Sequence, residues 1–420
     1  MAPYNGIVEL SDATRAFVAL HRADDVRELA LHAKRDDDVD LPLALDQIAG
    51  WQTACAKLPD WAAHDDIWYP PHLSMEQCSS EATARCKMNV AQRLIGQADE
   101  TSLVDLTGGF GVDFSYMARA FDHATYVERQ EHLCALAEHN MASLGLHHVN
   151  VVHADAEQYL QSMSHATLIF LDPARRDAHG ARTYAIADCT PDALGLKDLL
   201  LAKADHVMIK LSPMLDWRKA VADFQGAVSE VHIVSASNEC KELLLVLGRE
   251  ICDAPRLVCV NDDQRLEVSP DEAVVAETTK QSDAIAIDMA SESIVGWHLY
   301  EPNASVMKAG CFAMLAQRFG VTQIAPNSHL FISHEAVADF PGREFIIDAA
   351  STMGKKELRA TLAGLTHANI TARNVPLSVA ALRKKLKLKD GGDTTLFATS
   401  DSSNRHLIIR CHKPASASER

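Results

Sequence analysis

The stretch Ser102–Glu128, SLVDLTGGFGVDFSYMARAFDHATYVE, decides the fold class. Its apolar residues 103–106 predict a strand, the glycines that follow predict a turn, and apolar residues recur at helical spacing from 114 to 121. Residues 124–127 then begin a second strand, which ends at Glu128. A glycine turn between a strand and a helix lets backbone N–H groups approach a ligand, so the order indicates an α/β nucleotide-binding unit.

Two features of this stretch indicate the ligand. Glu128 follows Asp105 by 23 positions, close to the offset of ~20 residues at which an acid binds a ribose hydroxyl in such units. The third glycine of the dinucleotide fingerprint is missing, and Asp105 and Asp113 flank the turn. Two carboxylates would repel a pyrophosphate but suit a cationic ligand, such as the ammonium and sulfonium of S-adenosylmethionine.

Further acids follow the next two predicted strands. Asp155 comes after the strand at 149–152, where the exocyclic amine of an adenine could donate to it, and Asp172 comes after the strand at 167–171. Ligands of open α/β sheets lie over the carboxyl ends of the strands, so these acids are expected to form one site. The alternative is that each acid only caps a helix or a turn.

The motifs DLTGGFG, YVE, HADA and LDPARRD resemble the successive motifs of class I S-adenosylmethionine-dependent methyltransferases. The resemblance implies a Rossmann-like seven-stranded sheet, and strand candidates at 206–211, 230–236 and 242–248 complete that number. It also implies that the glycine loop contacts the methionine portion, Glu128 the ribose, and Asp155 with Ala156 the adenine. The predicted cofactor-binding residues are Asp105, Thr107, Gly108, Gly109, Gly111, Asp113, Glu128, Asp155 and Ala156.

The predicted catalytic residues are Asp172, Pro173 and Arg175. Methyl transfer is an in-line displacement, so the protein mainly aligns the reactants, and Asp172 would orient or deprotonate the acceptor while Pro173 stiffens its turn. Methyltransferases of exocyclic amines resemble N/D-P-P-aromatic at this place, whereas this chain has Ala174 and Arg175 after the first proline. The target atom therefore stays open. Arg175 would stack on a base or clamp a phosphate, or else form an ion pair with Asp177 or Asp188.

Other site chemistries have weaker signals. Methylation of a pyrimidine carbon needs a cysteine nucleophile, and Cys240, beside the apolar run 243–247, is interpreted as structural. Lys210 would contact a phosphate or extend from the sheet edge. The 20 histidines show no metal-ligand spacing, so no metal is predicted.

Charge is distributed unevenly along the chain. The net charge is −17, yet residues 355–413 contain 12 Lys and Arg against 4 Asp and Glu. Residues 340–343, 372–377 and the block LRKKLKLKDGGDTTLFATS resemble a THUMP-like domain, which implies binding of structured RNA. Alternation at 385–389 predicts a strand with one basic face, the alternative being a merely solvated surface. The predicted RNA contacts are Arg373, Arg383, Lys384, Lys385, Lys387 and Lys389.

The 420 residues are expected to form several domains. The stretch Trp297–Ala304 and the helical pattern of 306–319 that follows it resemble the small ferredoxin-like domain that some bacterial methyltransferases carry after the catalytic sheet. We predict an N-terminal helical domain at 1–73, the methyltransferase domain at 74–252, an acidic linker with a ferredoxin-like domain at 253–330, and the THUMP-like domain at 331–420. The ten cysteines form no C-x-x-C pair, and no apolar run reaches membrane-spanning length. These features predict a cytoplasmic protein with reduced thiols, without a membrane partner.

The sequence thus predicts a methyltransferase that uses S-adenosylmethionine to modify a base in tRNA or rRNA. A protein or metabolite methyltransferase, a non-catalytic RNA-binding protein with a vestigial methyltransferase fold, and a nicotinamide-dependent oxidoreductase are the alternatives. The sequence does not indicate the oligomeric state, the base, or the atom methylated.

Overall fold

The structure is a computed structural model that describes residues 10–32, 37–96, 99–175, 186–272 and 294–414. The chain divides into two compact units, which are described separately. The first consists of Met1–Ala236 and Lys241–Pro255, and the second of Ser237–Cys240 and Arg256–Arg420.

Helices of the first unit occur both before and between its strands. Those before the sheet are α1 (Asp12–His21), α2 (Val26–His32), α3 (Leu41–Lys57), α4 (Pro59–Ala62), α5 (His72–Gln77) and α6 (Glu81–Ile95). Those that alternate with strands are α7 (Val112–Ala118), α8 (Glu131–Ser143), α9 (Ala156–Ser162), α10 (Lys197–Lys203) and α11 (Trp217–Asp223), with a 3-10 turn at Ile186–Asp188.

Strands of the first unit form one large sheet and one short ladder. The strands are β1 (Ser102–Asp105), β2 (His123–Glu128), β3 (Val149–His153), β4 (Ala166–Leu171), β5 (Ala174–Arg175), β6 (Cys189–Thr190), β7 (Ala204–Leu211), β8 (Val228–Ala236) and β9 (Glu239–Leu247). Within this unit the sheet order is β8-β9-β7-β4-β1-β2-β3, and β5 pairs with β6. The neighbours from β3 to β7 run parallel, whereas β9 runs antiparallel to β7. All seven predicted strands are therefore present in the sheet, but the predicted strand count is not an exact match, because the chain forms further strands, such as the β5–β6 ladder.

Burial of the central strands explains their apolar composition. All six residues of β4 are buried, as expected for a parallel strand covered on both faces by helices. One core cluster joins β1, β2 and β4 to helices α6, α7 and α8, with Phe114, Tyr126 and Phe170 fully buried. This core fixes the carboxyl ends of β1, β2 and β4 at one edge.

The N-terminal helices share a second core with the sheet's own helices. Trp61 lies edge-on to Phe110, with ring centroids 5.0 Å apart. The backbone N–H of Trp68 donates to Asn140 Oδ1, and Asn140 Nδ2 donates back to the Trp68 carbonyl, both at 2.9 Å. The helical character predicted for this region is confirmed, and its helices pack against α7 and α8.

The second unit begins with a hairpin and continues with a mixed sheet. Its strands are β10 (Arg256–Asn261), β11 (Gln264–Val268), β12 (His298–Pro302), β13 (Thr322–Gln323), β14 (Phe331–Ser333), β15 (Gly342–Thr352), β16 (Asn369–Ala372), β17 (Thr394–Ser400) and β18 (His406–His412). The mixed sheet has the order β13-β14-β12-β15-β18-β17-β16, with β16 and β17 parallel. Its helices are α12 (Ala304–Ala309), α13 (Phe312–Phe319), α14 (Lys355–Thr361) and α15 (Val379–Leu386).

Three segments of the second unit differ from the sequence expectation. The strand predicted at 385–389 is wrong, because α15 continues to Leu386 and Lys387 ends it in a left-handed conformation with φ 58°. The β10–β11 hairpin lies where the acidic composition favoured a linker, since Leu257 and Leu266 bury its inner face. The helical pattern of 306–319 is divided at Gly310, whose φ is 71°, into α12 and α13.

Candidate active site

The glycine loop after β1 is shaped by close packing. A Cβ on Gly108 would lie 2.1 Å from Cε2 of Tyr126, so only glycine fits there without displacing that ring. Gly109 and Gly111 have φ of 55° and 85°, a region that favours glycine. The Tyr126 hydroxyl donates to the Gly109 carbonyl and fixes the loop from β2. The three predicted glycines thus have steric or backbone reasons to be glycine.

The loop forms one wall of a cavity of about 350 Å³ in the first unit. This volume lies in the range of small-molecule sites, ~300–1,000 Å³. All nine predicted cofactor-binding residues line it, together with Asp172. Further lining residues come from α5 and the loop after it (Ser74, Gln77, Cys78 and Ser79) and from later parts of the unit (Thr190, Pro191 and Lys210).

Glu128 is buried at the end of β2, with 8% of its surface exposed. Its Oε2 accepts the Gly109 N–H at 3.0 Å, and its Oε1 accepts the Gln130 N–H at 2.9 Å. A carboxylate has about four acceptor positions. Gln130 Nε2 also donates to Oε1 at 3.3 Å, so about one of these positions is left toward the cavity, which suits a hydroxyl donor such as that of a ribose.

The charges of Asp105 and Asp113 differ from the two negative charges that the sequence argument expected beside the glycine turn. Burial raises the pKa of Asp105 to about 8, and its carboxyl accepts the Thr107 N–H at 2.8 Å. Burial also acts on Asp113, but Lys87 and Lys210 outweigh it and hold the pKa of Asp113 below its ordinary value. At neutral pH one acid is thus protonated and the other is neutralised. The two carboxylates do not supply the negative field that the spacing alone predicts, because the lysines are distant in sequence.

Asp172 is placed at the cavity by two contacts. Its backbone N–H donates to Thr107 Oγ1 at 2.6 Å, and its Oδ2 accepts from Lys210 Nζ at 2.7 Å. Its side chain is 43% exposed, so it remains accessible to a ligand. Pro173 is buried directly after it, which fits the role of stiffening this turn.

One predicted residue of this segment, Arg175, cannot be placed at the cavity. The backbone of Arg175 pairs with Cys189 in the β5–β6 ladder, but its side chain lies outside the described part of the structure, as do residues 176–185 with Asp177. The roles predicted for Arg175 stay predictions.

Asp155 and Ala156 lie at the cavity, at the start of α9. Asp155 is exposed and caps the helix, its Oδ1 accepting the N–H groups of Glu157 at 2.9 Å and Gln158 at 3.2 Å. The capping role that the sequence left as an alternative is therefore present. The adenine contact stays a prediction.

Sequence reasoning missed the cationic side of the site. Lys210 at the end of β7 neither extends to solvent nor is free for a phosphate, because it pairs with Asp172 and Asp113. Ser79, just before α6, donates to Asp113 Oδ2 at 2.7 Å, and the fully buried Lys87 lies 3.2 Å from Asp113 Oδ1. A lysine ending the apolar strand was the available signal for Lys210, whereas Lys87 had none.

The predicted RNA contacts of the second unit fall into two groups. Arg373 and Arg343 both donate to Glu301, which is 1% exposed, so part of the Arg373 charge is engaged internally. Arg383 pairs with Asp390 at 2.7 Å. Four further predicted residues are exposed at the end of α15 and beyond it: Lys384, Lys385, Lys387 and Lys389.

Helix α14 adds to this basic surface. Leu358 of α14 and Leu382 and Leu386 of α15 pack into the same core cluster, so both helices cover one face of the sheet. The exposed residues Lys355, Lys356 and Arg359 of α14 therefore lie on that face too. We define the basic surface as the exposed lysines and arginine of 355–359 and 384–389.

Comparison with known proteins agrees with this architecture. A "putative methyltransferase" of known crystal structure from Porphyromonas gingivalis is 29% identical and superposes with a TM-score of 0.81, covering 96% of this chain and 98% of that one. The family of ferredoxin-like domains matches residues 298–341, and the family of THUMP domain-like sequences matches residues 342–413. The chain carries a class I methyltransferase fold followed by a ferredoxin-like and a THUMP-like domain.

A second relative matches part of this methyltransferase-fold protein. Ribosomal RNA small subunit methyltransferase J of Acinetobacter baylyi is 30% identical over 157 residues, 33% of this chain and 53% of the relative. The chain thus spans about half the length of that relative. Within the described ranges, the methyltransferase-fold protein has no helix with the length and apolarity to span a bilayer.

Proposed function

We propose that the protein transfers a methyl group from S-adenosylmethionine to RNA. The observation that carries the proposal is the convergence of the glycine loop, Glu128 and Asp172 on one cavity at the carboxyl ends of β1, β2 and β4. Such an edge is where open α/β sheets bind their ligands. The cavity volume fits a nucleoside-sized ligand.

The bound cofactor would supply an electrophilic methyl group on a sulfonium. The backbone of the glycine loop would hold its methionine portion, Glu128 its ribose hydroxyls, and Asp155 with Ala156 its adenine. Asp172 would accept a hydrogen bond from the acceptor's N–H or O–H, which directs a lone pair at the methyl group.

RNA is the proposed substrate class for three reasons. The Acinetobacter baylyi relative is named as a ribosomal RNA methyltransferase. The C-terminal domain matches the THUMP-like family, whose resemblance implies RNA binding. The basic surface of α14 and α15 gives this acidic chain a face that can contact phosphates. These features also fit the predicted cytoplasmic location.

Binding and transfer assays test the two parts of the proposal. Calorimetric titration should show binding of S-adenosylmethionine and none of NAD. Methyl-labelled cofactor should label rRNA or tRNA isolated from cells that lack the gene. Asp172→Ala should abolish labelling with only a modest change in cofactor affinity, while the matched control Asp198→Ala, at a side chain 93% exposed, should match the wild type.

Each negative result has a distinct meaning. Binding of NAD instead of S-adenosylmethionine would favour the oxidoreductase alternative. Cofactor binding with labelling of protein or small molecules, but of no RNA, would refute the RNA part. A variant Asp172→Ala that labels RNA at the wild-type rate would remove Asp172 from catalysis.

A further inference from the structure

A chain of alternating charges connects the helix layer to the cavity. In order it consists of Glu242, Lys87, Asp113, Lys210 and Asp172. The successive N–O distances are 2.5, 3.2, 3.3 and 2.7 Å. The first four side chains are at most 15% exposed, whereas Asp172 is 43% exposed. Buried charges of this kind are costly unless each one is paired.

Lys210 is fully engaged by this network. Its Nζ contacts Asp172 Oδ2 at 2.7 Å, Ser79 Oγ at 3.1 Å and Asp113 Oδ2 at 3.3 Å. An ammonium has three N–H donors, so these contacts fix its position. Burial acts to lower the pKa of Lys210, but the surrounding carboxylates outweigh burial and raise that pKa. Lys210 therefore stays cationic and is neither a proton acceptor nor a phosphate ligand.

Lys87 defines the other end of the arrangement. It holds Asp113 Oδ1, which leaves Asp113 Oδ2 for Ser79 and Lys210. Asp113 thus forms ion pairs with both lysines, one through each carboxylate oxygen. Asp172, in turn, is fixed at its backbone by Thr107 and at its carboxylate by Lys210.

We propose that Lys210 is a positioning residue that aims the Asp172 carboxylate into the cavity and cancels its charge beside the methyl donor. This inference rests on the proposed function, in which the cavity holds S-adenosylmethionine and Asp172 orients the acceptor. With the pair intact, the site discriminates little by charge between the cationic donor and its neutral product, S-adenosylhomocysteine. Removal of either partner leaves one uncancelled charge at the cavity.

The test measures the affinities of both compounds for the full-length protein and three variants. The variants are Lys210→Met, Asp172→Asn and the double variant, and Lys219→Met is the matched control because Lys219 pairs with Asp223 on the surface. All affinities are measured at one and the same pH. Transfer of labelled methyl groups to RNA is measured on the same samples.

Lys210→Met should raise the affinity for S-adenosylmethionine relative to that for S-adenosylhomocysteine by at least threefold, because the Asp172 carboxylate is then unpaired and favours the cationic compound. Asp172→Asn should shift the preference at least threefold in the opposite direction, because Lys210 is then unpaired. The double variant should return to within twofold of the wild-type ratio of the two affinities. It should also transfer methyl groups to RNA no more slowly than Asp172→Asn, because two substitutions that act through the same ion pair are not additive. Lys219→Met should change nothing.

The inference is overturned if both single variants keep the wild-type preference, or if their effects on transfer multiply in the double variant. A general loss of folding would lower both affinities equally and leave their ratio unchanged, which counts against the inference. If the wild type binds neither compound, the proposed function itself fails, and the charge argument fails with it. Binding without RNA labelling refutes only the substrate class, because the affinity ratio still tests Lys210.

Discussion

Substitution of Lys87 by methionine should cost the first unit a large share of its stability. Lys87 is fully buried and contacts Glu242 Oε1 at 2.5 Å, Asp113 Oδ1 at 3.2 Å and the Thr83 carbonyl at 3.2 Å. Methionine keeps most of the volume and removes the charge. Asp113 retains Lys210, but Glu242 loses the cation that it hydrogen-bonds. Removal of one partner from a buried ion pair costs about 3–5 kcal/mol.

The loss should depend on pH in a defined direction. Burial raises the pKa of Glu242 and Lys87 opposes that rise, so the folded Lys87→Met variant keeps the Glu242 proton to still higher pH. The unfolded chain releases this proton near its ordinary pKa of ~4.3. Above that pH the folded variant binds more protons than the unfolded chain, so its stability falls as pH rises. The deficit against the wild type should therefore be larger near pH 8 than near pH 5.

Urea unfolding followed by tryptophan fluorescence measures this effect, because four of the five tryptophans lie in the first unit. Lys87→Met/Glu242→Leu should recover at least half of the loss, since an apolar pair removes both buried charges. Lys219→Met, at a surface pair, should cost at most about 1 kcal/mol. A loss below about 1 kcal/mol for Lys87→Met near pH 8, or an equal loss at both pH values, would refute the reasoning.

Three other substitutions test the remaining parts of the site. Glu128→Ala should weaken S-adenosylmethionine binding at least tenfold in calorimetry without unfolding the protein, because it removes charge-assisted hydrogen bonds of ~1.5–3 kcal/mol each; unchanged affinity would remove Glu128 from the site. Gly108→Ala should lower the free energy of unfolding by about 1–3 kcal/mol or more, because the added Cβ clashes with Tyr126. The control Gly248→Ala, with open space around the added Cβ, should be neutral, and equal effects of the two substitutions would contradict the packing argument. Changing Lys384, Lys385 and Lys387 together to Ala should flatten the salt dependence of RNA binding by roughly two to three units and spare cofactor binding; an unchanged slope would make the basic surface a solvated face only.

The sequence predicted those parts of the fold that depend on local pattern. The glycines after β1 and the acids at strand ends follow directly from short apolar runs and turn chemistry, so the sheet and its loop could be located. The placement of Glu128, Asp155 and Asp172 around one cavity follows from the parallel topology that those runs imply.

Features that depend on distant parts of the chain could not be predicted in this way. The charges of Asp105 and Asp113 depend on burial and on Lys87 and Lys210, which no spacing rule connects to them. The segment at 385–389 alternates like a strand, but Leu382 and Leu386 are spaced for one helical face, and their packing prevails over the alternation. Tertiary contacts decide in both cases.

The reciprocal bonds between Trp68 and Asn140 have a consequence for synthesis of the chain on the ribosome. The N-terminal helices leave the exit tunnel well before α7 and α8, which carry the residues that cover Trp61 and Trp68. Until α8 has been made, these tryptophans lack their partners and present apolar surface to solvent. The nascent chain is thus most exposed to chaperones and to aggregation before the glycine loop exists. The helices that carry these tryptophans therefore gain their packing partners only once α8 has been made.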